Sequence, residues 1–314
     1  MGNYNISICI PAYMRVDYLE RLLASIASQT FRDFEVIVAD DSTDHSVESL
    51  LEQFRDQFPI QYFKNTPPLG TPANWNFAIS KASGEWIKLM HDDDWFSSPN
   101  SLQEFANKTG QGPKFIFSAY TNVFESGAKQ ELVTINNRER SKYIVQTPMR
   151  LLAHNIIGPP SVTMLHRNLT EKYDERLKWR VDLEFYIRIL QNEKAFTYIQ
   201  QSLVNVGISN SQVTQSCLYI PEVELPEGWI LLQKHGLKPL LNIWVYDAWW
   251  RLLRNLEIKR VEQLAAYGQD KWPLIITAMV KDLASVPESM LKIGACSKMF
   301  MALSFFKNRN KTNG

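Results

Sequence analysis

The chain has 314 residues, 45% of them hydrophobic and 21% charged, which allows one large or two modest globular domains and excludes a disordered chain. With 34 Lys+Arg against 33 Asp+Glu, it has no overall field that would recruit nucleic acid. Cys9, Cys217 and Cys296 lie far apart and form neither a disulfide framework nor a metal-type spacing, so a reducing cytoplasm is expected. The start, "MGNYNISICIPAY", lacks the regions of a signal peptide, and Ile6 stands where myristoylation needs Ser or Thr. No run approaches the roughly 18 uncharged apolar residues of a transmembrane helix.

The predicted elements alternate along the first third. "ISICI" (6–10) is a β-branched apolar run closed by Pro11, a buried strand. Leu19, Leu22, Leu23 and Ile26 recur at helical spacing, and "FEVIVA" (34–39) returns to strand character. Val47, Leu50, Leu51, Phe54 and Phe58 mark a second helix face, and "IQYFKN" a third strand. Trp75, Ala78, Ile79 and Ala82 form another helical stripe before the strand "EWIKLM". Such alternation implies right-handed βαβ units, hence a parallel sheet covered on both faces. Beyond residue 100, "KFIFSAY" (114–120) reads as a strand and "IIGPPSVTMLHR" (156–167) as a turn leading into another. "WRVDLEFYIRIL" (179–190) is helical, and "FTYIQQSLVNVGI" (196–208) is one or two strands. "PEVELPEGW" reads as a linker, with helices after it, including the Trp-rich "LLNIWVYDAWWRLLRNLEI".

This order has a consequence for chemistry. Tyr13, the pair Asp40 and Asp41, and the run Asp92, Asp93, Asp94 each directly follow a predicted strand. In a parallel sheet those ends share one edge, where open α/β folds bind ligands. "HDDDWF" alone could be a solvated acidic turn. Facing "ADDSTD" across a sheet edge, its carboxylates suit Mg²⁺ or Mn²⁺ with substrate phosphates in the remaining positions. "ADDSTD" could supply only a turn and a helix cap through Ser42, Thr43 and Asp44, which explains Asp40 least. "PAYMR" (11–15) suits a strand end or a stacking platform equally, and Asp182 on a helix is ordinarily a surface or salt-bridged acid. No Gly-x-Gly-x-x-Gly, P-loop, Gly-x-Ser-x-Gly or zinc pattern occurs, which disfavours dinucleotide oxidoreductases, P-loop NTPases, serine hydrolases and zinc enzymes.

Together, "SICIPAYMRVDYLERLLASIASQTFRDFEVIVADDSTDHS" and "NTPPLGTPANWNFAISKASGEWIKLMHDDDWF" resemble the family-2 glycosyltransferases of GT-A fold. The likeness is dense over residues 6–96, loose to about 215 and essentially absent beyond. It implies an α/β GT-A fold, Rossmann-like, with a mostly parallel sheet, helices on both faces and a C-terminal helical region. The domains implied are a transferase domain at 1–218 (nucleotide-binding half 1–96, acceptor-binding half 97–218) and a helical region at 219–314.

The resemblance further implies an inverting transfer from a nucleotide-diphospho-sugar, a UDP-sugar favoured, to a glycan or lipid-linked acceptor in surface-polysaccharide assembly. Pro11, Ala12 and Tyr13 would line the nucleobase pocket, with Asp40 accepting from the base. Arg15, Asn74, Asn76 and Asp92 complete the implied nucleotide-binding set. The metal, Mg²⁺ or Mn²⁺, would lie on Asp93, with Asp92 and Asp94 beside it. His91 stands where the commoner motif has its first acid, so two alignments are open. Asp182 takes the general-base position, Glu184 is the fallback, and Arg188 falls at a commonly basic one. "VGISNSQVT" lacks the histidine often found there, although Gln212 and Thr214 keep part of the pattern. A sugar nucleotidyltransferase and a non-catalytic glycan-binding subunit are the alternatives. The segment 287–314 ends basic and apolar, which suits either a packed helix or peripheral contact with the inner face of an anionic cytoplasmic membrane.

Overall fold

The computed structural model describes residues 4–125, 129–135, 143–169, 171–209, 216–268 and 271–313. Its chain divides into two compact units. One comprises residues 1–148, 156–175 and 184–211; the other comprises 149–155, 176–183 and 212–314.

The first unit carries one sheet. Strands β1 (Ile6–Ala12), β2 (Phe34–Asp40), β3 (Ile60–Lys64) and β4 (Trp86–Leu89) alternate with helices α1 (Val16–Ala27), α2 (Ser46–Leu51) and α3 (Ala73–Ser80). They are followed by β5 (Trp95–Phe96), α4 (Ser101–Ala106), β6 (Phe115–Phe124), β7 (Gln130–Val133), β8 (Thr163–His166) and β9 (Thr197–Ile208). The sheet order is β3-β2-β1-β4-β8-β6-β9-β5, with β7 paired to β6. The βαβ portion is parallel throughout, as the alternation predicts. Past β4 the sheet mixes directions: β8 runs antiparallel to β4 and β6, whereas β6 and β9 are parallel.

β1 and β2 are almost wholly apolar and almost wholly buried, as befits central strands covered on both faces. The stripe Leu19, Leu22, Leu23 and Ile26 buries α1 against them, and Val47, Leu50, Leu51, Phe54 and Phe58 join the same core. The expected stripe on α3 is different. Asn74 and Ala78 are its buried residues, while Trp75 and Ile79 remain partly exposed and Ala82 lies past its end. A polar residue goes inward there because its amide is matched: Asn74 Nδ2 donates to Ala39 O at 2.9 Å, and Asn65 Nδ2 donates to Asn74 Oδ1 at 3.0 Å.

The second unit is mainly helical. It holds the first residues of α5 (Val181–Glu193), and α6 (Pro221–His235), α7 (Ile243–Asn255), α8 (Leu274–Ala284) and α9 (Gly294–Asn308). The "PEVELPEGW" stretch, expected to be a linker, is the opening of α6. Pro221 sits in the first turn, where its missing N–H is harmless, and Glu222 and Glu224 favour a helix N-terminus. Its acids are also partnered: buried Glu224 pairs with Arg180 at 2.8 Å. Buried Glu227 accepts the backbone N–H groups of Trp179 at 2.9 Å and Arg180 at 2.8 Å, and that of Lys178. A tryptophan-rich face of α7 meets α9, where Trp250 Nε1 donates to Ser297 Oγ at 3.1 Å and the hydroxyls of Tyr246 and Ser304 lie 2.7 Å apart.

Glu227 therefore holds the chain that enters α5. Glu227→Ala leaves three part-buried amide donors without this acceptor, each costing up to about 1–3 kcal/mol where it stays unsatisfied. A marked fall in the urea unfolding midpoint of the full chain is expected. An unchanged midpoint would show that these amides find other partners.

Candidate active site

The parallel register delivers the first unit's polar residues to one edge. Ala12 is level with Asp40, Asp40 with Lys64, and Cys9 with Leu89, so β1, β2 and β4 end close together. Two further bonds extend the ladders, from Asp41 N to Ala12 O at 3.0 Å and from Met90 N to Cys9 O at 2.9 Å. Ala12 is buried and Pro11 partly so, whereas the Tyr13 ring stands 56% exposed at the strand end. The chain then turns through Met14, whose φ of 61° is uncommon for a residue with a side chain. Met14 N donates to Ser42 Oγ at 2.8 Å, which fastens the loop after β1 to the loop after β2.

Asp40 is fully buried. Its carboxylate accepts from Ser42 N at 2.8 Å, Tyr62 Oη at 2.9 Å and Lys64 Nζ at 3.0 Å. A base N–H at Asp40 would share those oxygens with Lys64 and Tyr62. Asp41 collects Leu69 N at 3.0 Å, Gly70 N at 2.8 Å and Asn65 Nδ2 at 2.8 Å, so it ties down the loop ahead of α3. The expected capping is not made: Asp44 forms a turn ahead of α2, accepting from Ser46 N at 3.1 Å and Ser46 Oγ at 2.6 Å, and the N-cap position itself, His45, has no side-chain capping bond. Asn76 also serves the protein: its amide joins Tyr173 N and O and Glu175 at 2.9–3.0 Å. The structure thus gives Asn74 and Asn76, expected at the nucleotide, positioning bonds that order the loops around them.

The acidic run is resolved residue by residue. Arg15 donates from Nε to Asp92 Oδ2 at 3.2 Å and from Nη2 to Asp92 Oδ1, while its Nη1 reaches Asp93 Oδ2 at 3.0 Å. Arg15 and Asp92, both expected at the nucleotide, are therefore paired with each other. Burial pushes the Asp92 carboxyl up to about 7 even against the pull of Arg15. Asp94 is raised by burial and then by the neighbouring Asp93. Gly207 N donates to Asp94 Oδ1 at 3.1 Å. A side chain at Gly207 would place its Cβ 2.4 Å from Asp93 O, so only glycine allows this approach. Arg21 donates to Asp93 O at 2.8 Å while lying 3.6 Å over the Trp95 ring.

Sequence reasoning passed over Lys88 and gave His91 a place in the motif without a chemical role. Lys88, fully buried on β4, donates to the Ser161 carbonyl, and burial lowers it to about 7 with Asp94 as its opposing charge. His91 donates its backbone N–H to Ser161 Oγ at 2.9 Å, and its ring centroid lies 4.6 Å from that of Trp75. Burial lowers its pKa to about 4, so the imidazole is neutral at pH 7. Its Nε2 is buried and finds no hydrogen-bond partner among the described residues. One ring nitrogen of His91 and one oxygen each from Asp93 and Asp94 lie within 4.8 Å of one another. Two carboxylates and a neutral imidazole, one with an orphaned buried nitrogen, form a donor set that fits a divalent cation. Asp92, expected among the metal ligands, is outside that cluster because Arg15 engages both its oxygens. The unmatched buried nitrogen was the signal for His91, and it exists only in three dimensions.

Asp182 belongs to the second unit and is half-buried near the start of α5. Leu183 N donates to its Oδ1 at 2.8 Å, and burial nonetheless pushes the carboxyl up to about 6. The fallback Glu184 is fully buried and held by the Arg188 guanidinium at 2.7 and 2.9 Å. Gln212 and Thr214 lie outside the described residues.

Residues 7–174 match the family described as Glycosyl transferase family 2. Over 114 residues the chain is 32% identical to a GalNAc(5)-diNAcBac-PP-undecaprenol beta-1,3-glucosyltransferase of Campylobacter jejuni, covering 36% of this chain and 37% of that one. Over 93 residues it is 37% identical to the abequosyltransferase RfbV of Salmonella typhimurium, covering 28% of each. These alignments thus span well under half of either relative. Among solved structures, Staphylococcus aureus TarS 1-349 in complex with UDP-GlcNAc superposes with a TM-score of 0.61 at 16% identity, over 98% of this chain and 90% of that one. The mannosyltransferase PcManGT of Pyrobaculum calidifontis, in complex with GDP-Man and Mn²⁺, gives 0.55 at 11% identity, over 98% and 88%. At such identities the superpositions establish the GT-A fold, and the family match covers more than half the chain. The chain belongs to glycosyl transferase family 2.

Proposed function

We propose that the chain is an inverting glycosyltransferase that moves a sugar from a nucleotide-diphospho-sugar, a UDP-sugar in the favoured case, to a hydroxyl of a glycan or lipid-linked acceptor in surface-polysaccharide assembly. The observation that carries this reading is the convergence of Tyr13, Asp40 and the cluster of Asp93 and Asp94 at one edge of a parallel sheet. Family membership supports the reaction class. The undecaprenol in one relative's name and the nucleotide sugars bound by TarS and PcManGT support the acceptor and donor classes.

In this reading Pro11, Ala12 and Tyr13 receive the base, and Asp40 holds it through an oxygen shared with Lys64. Asn74, Asn76 and Asp41 keep the adjoining loops in place. Asp93 and Asp94 would hold a divalent cation, Mg²⁺ or Mn²⁺, which supplies positive charge against the leaving diphosphate. Asp182 is the general base. As the acceptor oxygen bonds to the anomeric carbon, its proton passes to the Asp182 carboxylate and the anomeric carbon–oxygen bond to the diphosphate breaks. The products are the glycoside and a free nucleoside diphosphate. A screen of nucleotide sugars with divalent metal should show thermal stabilisation of the protein and release of nucleoside diphosphate. Release of pyrophosphate instead would point to nucleotidyl transfer.

Asp182→Asn removes the proton acceptor and keeps the shape. Turnover should fall by about 10²–10⁴ while the affinity for UDP stays unchanged; near-normal turnover would remove Asp182 from the mechanism. The same residue sets a pH dependence. Only its ionised form accepts a proton, and burial has raised its pKa to about 6. The rate should therefore decline as pH falls through about 6, rather than near the ordinary aspartate value of about 4. An acid limb near 4 would mean that another group sets the limb or that Asp182 is not raised.

The acceptor class also concerns the second unit. Met299, Leu303 and Phe306 recur at i, i+4 and i+7 on α9 and are 52%, 60% and 62% exposed, while Met301, Ser304 and Phe305 are buried. Exposed Lys298, Arg309 and Lys311 flank this apolar stripe. An apolar face edged with cations suits the surface of an anionic bilayer, and no helix among the described residues is long and apolar enough to cross one. The protein should co-sediment with phosphatidylglycerol vesicles and much less with phosphatidylcholine ones. The combined change Met299→Ser, Leu303→Ser, Phe306→Ser should abolish the association. Wild-type protein that stays in the supernatant would overturn the membrane contact.

A further inference from the structure

We propose that His91 supplies an imidazole nitrogen to the divalent-cation site formed with Asp93 and Asp94, and that this nitrogen makes the site select Mn²⁺ over Mg²⁺. The proposal rests on the metal-assisted transferase reading and goes beyond it by naming a ligand of different chemistry from the aspartates.

Four observations converge. The three side chains bring one donor atom each to within 4.8 Å of one another. The Nε2 of His91 is buried and without a partner among the described residues, although a buried ring nitrogen left unmatched is destabilising. The ring does not wander: its backbone N–H is fixed to Ser161 Oγ at 2.9 Å, and Trp75 covers it at a centroid distance of 4.6 Å. Finally, Asp92, the third carboxylate of the run, is engaged at both oxygens by Arg15. Histidine, and not the third aspartate, is the donor left over.

Packing against Trp75 explains where the ring sits and leaves its unmatched nitrogen unexplained. A cation between His91, Asp93 and Asp94 would satisfy that nitrogen and answer the repulsion between the two carboxylates at once. The choice of ion follows from ligand chemistry. Mg²⁺ demands hard oxygen donors in near-ideal octahedral geometry and dehydrates reluctantly; Mn²⁺ also favours oxygen but, as the softer ion of the two, accepts one imidazole nitrogen at smaller cost. Replacing one oxygen donor by nitrogen therefore penalises Mg²⁺ more than Mn²⁺.

The test uses the whole 314-residue chain loaded with Mn²⁺ alone and read by pulsed electron paramagnetic resonance, comparing unlabelled protein with protein carrying ¹⁵N-histidine. Wild type should show nitrogen modulation of the Mn²⁺ signal that changes frequency with the histidine label and disappears in both His91→Gln and His91→Asp. Mn²⁺ titration should show binding weakened about tenfold or more in His91→Gln. His91→Asp should bind Mg²⁺ better than wild type does and so narrow the preference for Mn²⁺. Bound Mn²⁺ without histidine-dependent modulation overturns the proposal and leaves the metal reading intact, a result that no folding defect could mimic because the label changes no atom's chemistry. Modulation that persists in both variants overturns it in favour of another histidine. Wild type that binds no Mn²⁺ overturns this proposal together with the metal site of the proposed function.

Discussion

The parallel strands β2 and β4, which flank β1, bring five carboxylates, Asp40, Asp41, Asp92, Asp93 and Asp94, to one sheet edge, and their mutual repulsion is the constraint around which that edge is built. Each acid is answered by a different device. Lys64 and Tyr62 meet Asp40, three N–H donors meet Asp41, and the Arg15 fork meets Asp92. Buried Lys88 and the Gly207 amide face Asp94. Asp93 receives one guanidinium bond through Oδ2 and keeps a partly exposed side chain. The arrangement is graded: all five acids make bonds inside the protein, and Asp93 keeps the most access of them.

That grading explains the two basic residues, Arg15 and Lys88, set against the acidic run. An arginine is suited to Asp92 and Asp93 because its planar fork can engage two carboxylates at once, which a lysine ammonium does with less geometric specificity. Lys88 works differently. Fully desolvated behind the run, it is lowered to about 7 and so carries only part of a charge near neutral pH. The edge is thus compensated from within, without being saturated.

Much of this was legible in the sequence because periodicity and strand-end position are local properties. Burial of Leu19, Leu22, Leu23 and Ile26 follows from spacing alone, as does the placing of Tyr13, Asp40 and the acidic run on one edge. What escaped depends on partners distant in sequence. Asn74 turns inward because Ala39 and Asn65, 35 and 9 residues away, complete its amide. "PEVELPEGW" looks like a linker until Glu224 and Glu227 meet Arg180 and the amides before α5, 44–49 residues upstream. His91 looked like a missing acid; only its unmatched nitrogen beside Asp93 and Asp94 marks it as a donor. Composition-based rules fail at such points because they price a polar residue without its partner.

The same partnering decides the character of Asp182. An aspartate in the first turn of a helix, with an arginine two residues before it, would ordinarily be held low by the helix dipole and by the cation. A paired arginine alone can depress an aspartate by about 1–3 pH units. Here Glu224 takes the Arg180 guanidinium at 2.8 Å, so that cation is diverted, and Glu227 adds repulsion in place of attraction. The amide of Leu183 still pulls the carboxyl down, but burial is the larger influence and leaves it at about 6. That value is where a base works well near neutral pH: mostly ionised before the reaction, yet basic enough to accept a proton during it. Burial thus sets the character of Asp182, with Glu227 on α6 adding a smaller push in the same direction while Glu224 engages the neighbouring guanidinium.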